Sequence, residues 1–197
     1  ACMTAMRMAA PLWALRQGYS AVAVGMLLAL FALTQVFLAL PAGRYADRHG
    51  LRRPMAGAVL AAVAGGLVAT AWPSFAALCV AALLAGGASG VAVVALQRHV
   101  GRASRSNTEL RQVFSWLAIG PAVSNFIGPF FAGLMIDHAG STAGSTEGYR
   151  AAFALLAVLS LATWFWVRHT EELPPVIAAA GGPPQRSWDL LNEPAFR

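Results

Sequence analysis

The chain has 197 residues, of which 58% are hydrophobic and 11% are charged. Soluble globular domains are roughly 25% charged, so this composition excludes an ordinary soluble fold and indicates a membrane protein. The formal net charge is +6, and the fourteen lysine and arginine residues are all arginine. These arginines lie between apolar runs instead of along one polar face, so the sequence does not predict nucleic-acid binding.

Apolar runs in chain order predict membrane-spanning helices. A helix needs about 20 apolar residues to cross a hydrocarbon core of roughly 30 Å. Uncharged runs that meet or approach this length cover residues 21–42, 54–72, 75–97, 113–136 and 151–167. A sixth run, residues 1–15, contains one charge, Arg7, and we expect it to be a span that is incomplete at its start. We therefore predict a bundle of six transmembrane helices over residues 1–168.

The end of the chain has a different composition. The stretch "EELPPVIAAAGGPPQ" begins at residue 171 and contains pairs of proline and glycine, which are typical of linkers. We predict that residues 169–197 form an interdomain linker with a short amphipathic helix.

The arginines predict the orientation of the bundle. Eleven of the fourteen follow the second, fourth and sixth spans, all on one side of the membrane: Arg44, Arg48, Arg52, Arg53, Arg98, Arg102, Arg105, Arg111, Arg168, Arg186 and Arg197. Loops rich in arginine stay on the cytoplasmic side. We therefore expect the N-terminus and the linker to be cytoplasmic.

A charged stretch, "LPAGRYADRHGLRRP", separates the second and third spans. Gly43, Asp47, Arg48, Gly50 and Arg52 have the spacing G-x-x-x-D-R-x-G-x-R. This pattern resembles the signature loop between helices two and three of the major facilitator superfamily of secondary transporters. The resemblance implies two inverted three-helix repeats that together form the N-terminal half of such a transporter.

Each residue of the charged stretch has an expected task. Gly43 would permit a close helix approach, and Gly50 would permit a turn with positive φ. Asp47 would be stabilised at a helix N-terminus, which the resemblance places in the second half of the transporter, and would latch a cytoplasmic gate. The alternative is that the stretch is a positive anchor that only sets topology, the task expected of Arg44 and Arg53.

The stretch also departs from the family pattern. Leu51 replaces the first of two basic residues, and Tyr45 stands where the family usually has leucine.

The fifth span, "AIGPAVSNFIGPFFAGLMID", resembles the G-x-x-x-G-P-x-x-G-G motif of proton-driven exporters in the same family. Small residues let helices pack closely, and proline bends a helix. The resemblance therefore favours export over import. The residues of interest in this span are Gly120, Pro121, Gly128, Pro129 and Gly133, with Ser124 and Ala132 replacing two motif glycines.

The fourth span lacks the arginine that many such exporters have, since Ala81 or Ala82 occupies its place. No Asp or Glu lies within any predicted span. A proton carrier would therefore be Asp47 or Glu109 near the cytoplasmic face, or belong to a part of the protein outside this chain.

Polar residues within the spans are candidates for a substrate cavity, because charge inside a membrane is costly. Arg7 is expected near the midplane, where it would attract an anionic or polar substrate group or tune a proton site. Its alternative is an anchor that reaches the membrane surface. Gln35 and Asn125 are further cavity candidates, with interhelical hydrogen bonding as their alternative.

One alternative belongs to another class of protein. "GASG", residues 87–90, resembles the serine motif of rhomboid-type intramembrane proteases, with Ser89 as nucleophile. Such a serine needs a histidine base at membrane depth, whereas all four histidines fall in loops or at span ends. Helix packing explains these small residues better, so we predict no catalytic residue.

The sequence thus predicts an all-α membrane protein that exports a small organic molecule by alternating access, driven by a proton gradient across a bacterial inner membrane. Proton-coupled import of a metabolite remains an alternative, as does a six-span sensor or scaffold. We expect no cofactor and no metal, since Cys2 and Cys79 lack metal-ligand spacing. The expected partners are the lipid bilayer, the substrate and a missing C-terminal six-helix half.

Overall fold

A computed structural model describes residues 2–103, 106–139 and 147–170. All regular structure in these ranges is helical. The helices are α1 (Cys2–Arg16), α2 (Ala21–His49), α3 (Arg52–Ala71), α4 (Phe75–Ala103), α5 (Asn107–Ala139) and α6 (Glu147–Val167). The predicted short helix of the linker falls in residues 171–197 and lies outside the described residues.

Five of these helices, α2 to α6, are long and apolar enough to cross a membrane. The first, α1, has 15 residues and is therefore about 22 Å long, less than the roughly 30 Å hydrocarbon core. The serine residues Ser20, Ser74 and Ser106 precede α2, α4 and α5, and each hydroxyl accepts a hydrogen bond from a backbone N–H three residues later. Such caps satisfy N–H groups that have no partner inside the helix.

The helices α1 and α4 each supply more buried hydrophobic residues to the described core than any other helix. Ala9, Ala10, Ala81 and Ala82 are completely buried, together with the larger side chain of Phe153 from α6. The helix α4 packs most extensively against α2 and α3, whereas α1 packs against α5 and α6. Alanine lets helix backbones approach closely, which gives tight packing without a hydrophobic driving force between helices in lipid.

A very close helix crossing joins α2 and α4. A Cβ atom added to Gly86 would lie 2.3 Å from the Phe31 carbonyl oxygen and 2.7 Å from the Thr34 hydroxyl. No real Cβ atom reaches such distances, so the two backbones touch at Gly86. Glycine is required at position 86 because any larger side chain would clash with α2. The backbone conformation does not require it, since α4 is a regular helix there.

The helices α3 and α6 cap each other with arginine. The Arg52 guanidinium, at the start of α3, donates to the Thr170 carbonyl just after α6, with Nη2 at 2.8 Å. In return, Nε of Arg150 in the first turn of α6 donates to the Thr70 carbonyl of α3 at 2.9 Å. Both arginines satisfy carbonyls at helix ends that have no partner inside the helix.

The prediction that the charged stretches are loops was wrong. The helix α2 continues through Pro41 to His49, so only Gly50 and Leu51 connect it to α3. Likewise, α4 continues past Arg98 to Ala103. Arginine and alanine are good helix formers, so a helix does not end where its apolar run ends. The turn itself matches expectation, because Gly50 has φ of 73°.

Candidate functional site

The three polar residues singled out within the spans line one cavity. Arg7 of α1, Gln35 of α2 and Asn125 of α5 border a cavity of about 530 Å³, and α4 contributes Ser89 and Gln97. Ligand pockets in proteins span about 300–1,000 Å³. The cavity is therefore large enough for a small organic molecule.

Two interhelical contacts hold the walls of this cavity. The Thr4 hydroxyl donates to the Ser124 carbonyl at 2.7 Å, which ties α1 to α5 beside Asn125. The Gln35 amide donates to the Met3 sulfur at 3.1 Å. A thioether is a weak acceptor, so the Gln35 amide can exchange this contact for a stronger one with a ligand.

The electrostatics of the cavity favour a negative ligand group. Arg7 is exposed on the cavity face of α1, and none of the residues that line the cavity in the described part of the chain is acidic. A guanidinium inside a membrane without a carboxylate partner is costly. An anionic or strongly polar ligand group would lower that cost.

A second cluster lies at the arginine-rich end of the bundle. Asp47, near the end of α2, forms an ion pair with Arg98 of α4. One turn earlier on α2, a Cβ atom added to Gly43 would lie 2.9 Å from Nη2 of Arg98. Gly43 therefore lets the guanidinium lie against the α2 backbone, which places it beside Asp47.

This ion pair gives Asp47 a partner that the sequence analysis did not name. The carboxylate is near the C-terminal end of its own helix, where the helix dipole disfavours an anion, and its partner Arg98 belongs to the same chain. The two side chains are 38% and 45% exposed, and ion pairs this exposed contribute about 0–1 kcal/mol. Such a pair can break and reform at little cost.

Sequence reasoning counted Arg98 only as a charge that sets topology. A signal for its role was present, because the second and fourth spans end on the same side of the membrane. Asp47 is the only acidic residue of its stretch, so one of the arginines on that side was available to pair with it.

A comparison with known protein families finds a match for this chain. The model of the Major Facilitator Superfamily matches residues 1–196. The chain belongs to this superfamily. It is therefore a multi-pass membrane protein from a family of transporters, as the resemblance predicted. No curated protein matches the chain.

The remaining motif residues of this major facilitator chain occupy the same end of the bundle as the ion pair. Arg48 is exposed on α2, Gly50 makes the turn, and Arg52 binds the carbonyl that follows α6. The motif thus connects α2, α3, α4 and α6 at one end.

The fifth-span residues divide between the cavity and the bundle interior. Gly120 and Pro121 line the cavity, whereas Gly128 is buried beside α1 and α6. The helix α5 continues through Pro121 and Pro129. A Cβ atom added to Gly133 would make only an ordinary contact, 3.7 Å from Met8. Of these residues, Gly128 is therefore the one whose burial agrees best with the predicted close helix packing.

The family arginine of the fourth span has no substitute at its own position. Ala81 and Ala82 are completely buried, and the Ala81 carbonyl lies 3.2 Å from a Cβ atom added to Gly65 of α3. An arginine there would displace α3. Among the described residues that line the cavity, the only charged side chain is that of Arg7.

The protease alternative finds no support. Ser89 lines the cavity, but His99 is ten residues further along α4, about 15 Å by helix rise. The ring nitrogens of His49, His138 and His169 each approach the backbone carbonyl four residues earlier. No histidine base is therefore placed beside Ser89 in the described chain, in agreement with membership of a transporter family.

Proposed function

We propose that this protein is a proton-coupled secondary transporter that exports a small organic molecule by alternating access. The observation that carries the proposal is the cavity in which Arg7, Gln35 and Asn125 converge from three helices. The cavity has one guanidinium and several hydrogen-bonding groups against apolar walls. The substrate class we propose is a small organic anion or a strongly polar molecule with an apolar part.

Alternating access requires a second bundle, and the exposed faces of α2 and α5 support a docking position for it. Only 17% of the most apolar stretch of α2 and of α5 is buried, against 44% for α4. The two helices present large exposed side chains, among them Phe37, Trp116, Phe126 and Phe130. We infer that a second six-helix half covers part of these faces and closes the cavity. Two such halves would rock around the substrate, as in other transporters of this architecture.

The ion pair between Asp47 and Arg98 is the proposed cytoplasmic latch. It links the ends of α2 and α4, and its exposure makes it weak enough to release. In the state with the gate closed, Asp47 would leave Arg98 and interact with a helix N-terminus of the second half. The pair with Arg98 would re-form when that half moves away, so it would stabilise only one of the two gate states.

Proton coupling requires a group that can carry a proton. Among the described residues, acidic side chains lie only near helix ends, so the proposed carriers on the arginine-rich side are Asp47 and Glu109. Export is favoured by the resemblance of α5 to the motif of proton-driven exporters. We place the protein in a bacterial inner membrane, with its N-terminus and linker in the cytoplasm, because arginine-rich ends remain on that side.

The test uses the chain joined to its second half and reconstituted into sealed vesicles. A panel of radiolabelled organic anions, cations and neutral molecules is offered with and without a proton gradient. We expect gradient-dependent movement of an anion, out of the side that carries the arginine-rich ends, and its loss on adding a protonophore. Flux that ignores the gradient would contradict proton coupling, and movement in the opposite direction would favour the import alternative.

A further inference from the structure

A second large groove lies between α2 and α3, with α4 as its floor. Its volume is about 700 Å³, and it shares no lining residue with the cavity of the proposed transport site. Gly57, Tyr45 and Arg53 on its rim are exposed, so the groove opens at the surface of the bundle.

Small side chains create this groove. Gly57, Ala58 and Ala61 of α3 face Gly87 and Ala88 of α4 across it. A Cβ atom added to Gly57 would meet nothing within 4 Å, so that position is empty.

The corresponding space between α5 and α6 is closed. Its cavity measures only about 30 Å³ and is lined by large side chains, among them Phe131 and Leu155, as well as by small residues such as Gly128 and Ala132. The groove between α2 and α3 is thus a particular property of one side of the bundle.

The groove is polar at one end only. Apart from Thr34, whose hydroxyl donates to the Leu30 carbonyl, the polar lining consists of Tyr45 near the end of α2 and Arg53 at the start of α3. Among the described residues, Arg53 is exposed and has no ion-pair partner. From Arg53 to Ala61 the groove follows α3 for eight residues, or about 12 Å along the helix.

We propose that this groove binds an anionic glycerophospholipid, with one acyl chain in the apolar slot and its phosphate on Arg53 and the Tyr45 hydroxyl. The slot runs from the membrane surface toward the interior, as an acyl chain does. Arginine matches phosphate through two parallel hydrogen bonds. Basic pockets between transmembrane helices on the cytoplasmic side also bind anionic headgroups. A small phosphate compound would satisfy Arg53 but would leave the apolar walls empty.

The experiment uses the purified 197-residue chain in neutral detergent and phosphatidylglycerol with a photoreactive diazirine in the acyl chain. Cross-linked positions are mapped by mass spectrometry, and competition is measured with unlabelled phosphatidylglycerol, phosphatidylcholine of the same chains, and glycerol phosphate. We expect cross-links in the segments around Leu38, Ala61 and Leu84. We also expect phosphatidylglycerol to compete about fivefold better than phosphatidylcholine, the preference that one arginine gives near an anionic surface.

Two variants test binding of the acyl chain and binding of the headgroup separately. Gly57→Leu places a side chain in the empty part of the groove and should reduce labelling by both lipids. Its control is Gly25→Leu, where an added Cβ atom also meets nothing within 4 Å but the position lies outside the groove. Arg53→Gln should remove the preference for phosphatidylglycerol and keep the labelling itself. Its control, Arg111→Gln, removes an arginine from the start of α5 and should change neither.

Several results would overturn the proposal. Equal competition by the two lipids would rule out recognition of the anionic headgroup. Unchanged labelling of the Gly57→Leu variant would rule out binding of the acyl chain in the groove. Displacement by glycerol phosphate would indicate a site for small phosphate compounds. Circular dichroism of each variant checks that the helices remain folded. Since labelling is measured without transport, failure of this proposal is distinct from failure of the transport proposal.

Discussion

The ion pair between Asp47 and Arg98 predicts that its two partners respond differently to removal of charge. Asp47→Asn loses an exposed ion pair worth about 0.2–1 kcal/mol. It also relieves an unfavourable interaction with the dipole near the C-terminal end of α2, worth about 0.3–1 kcal/mol. These contributions nearly cancel, so the free energy of unfolding should hardly change. Arg98→Gln loses the same pair but keeps the unfavourable carboxylate, and it should destabilise the bundle by about 0.2–1 kcal/mol.

Transport should respond to both variants, because either change breaks the proposed latch. A loss of about 0.2–1 kcal/mol from one gate state shifts the gate equilibrium by up to about fivefold. We therefore expect Asp47→Asn to slow turnover by no more than about fivefold through this pair, with membrane insertion intact. Exchanging the charges, with Asp47→Arg and Arg98→Asp together, should re-form the pair and recover the stability that Arg98→Gln loses.

The assay combines chemical unfolding of the chain in detergent micelles with transport by the same variants joined to the second half. Arg111→Gln, which removes an arginine at the start of another helix, is the control for loss of charge alone. If Asp47→Asn destabilises the bundle as much as Arg98→Gln, the dipole argument is refuted. If turnover is unchanged in both single variants, the latch is refuted, whatever their stability.

Other changes test the cavity and the packing. Arg7→Gln should weaken binding of an anionic substrate by about tenfold, the loss of one hydrogen-bonded charge contact, whereas wild-type affinity in a binding titration would make Arg7 an anchor. Gly86→Ala should destabilise the bundle by about 1–3 kcal/mol through overpacking against α2, while Gly25→Ala, in open space, should stabilise it by up to about 1 kcal/mol; equal unfolding midpoints would contradict the contact at Gly86. Ser89→Ala should leave transport nearly unchanged and should have no effect in a proteolysis assay. Loss of a proteolytic activity in this variant would instead support the protease alternative.

The amount of apolar sequence was enough to predict the class of fold. Helices that span the hydrocarbon core can be recognised from a single stretch of sequence, since each needs about 20 apolar residues in succession. Residues 21–42 and 151–167 illustrate this, and both lie within helices that can span a membrane. The ends of these helices were less predictable, because α2 runs on to His49 in charged sequence. An apolar run predicts which residues can lie within the membrane, whereas helix propensity and the glycine turn decide where the helix ends.

The sequence by itself determined the membrane class, the family pattern, the turn at Gly50 and the polar residues that a lipid environment makes costly. Only the tertiary structure decided that Asp47 pairs with Arg98 and that Arg7 and Asn125 share one cavity. The physical reason is that the rotation of a helix about its own axis, and hence the side chains it turns inward, depends on its neighbours. Contacts as close as the one at Gly86 fix that rotation, and they exist only when two distant segments of the chain meet.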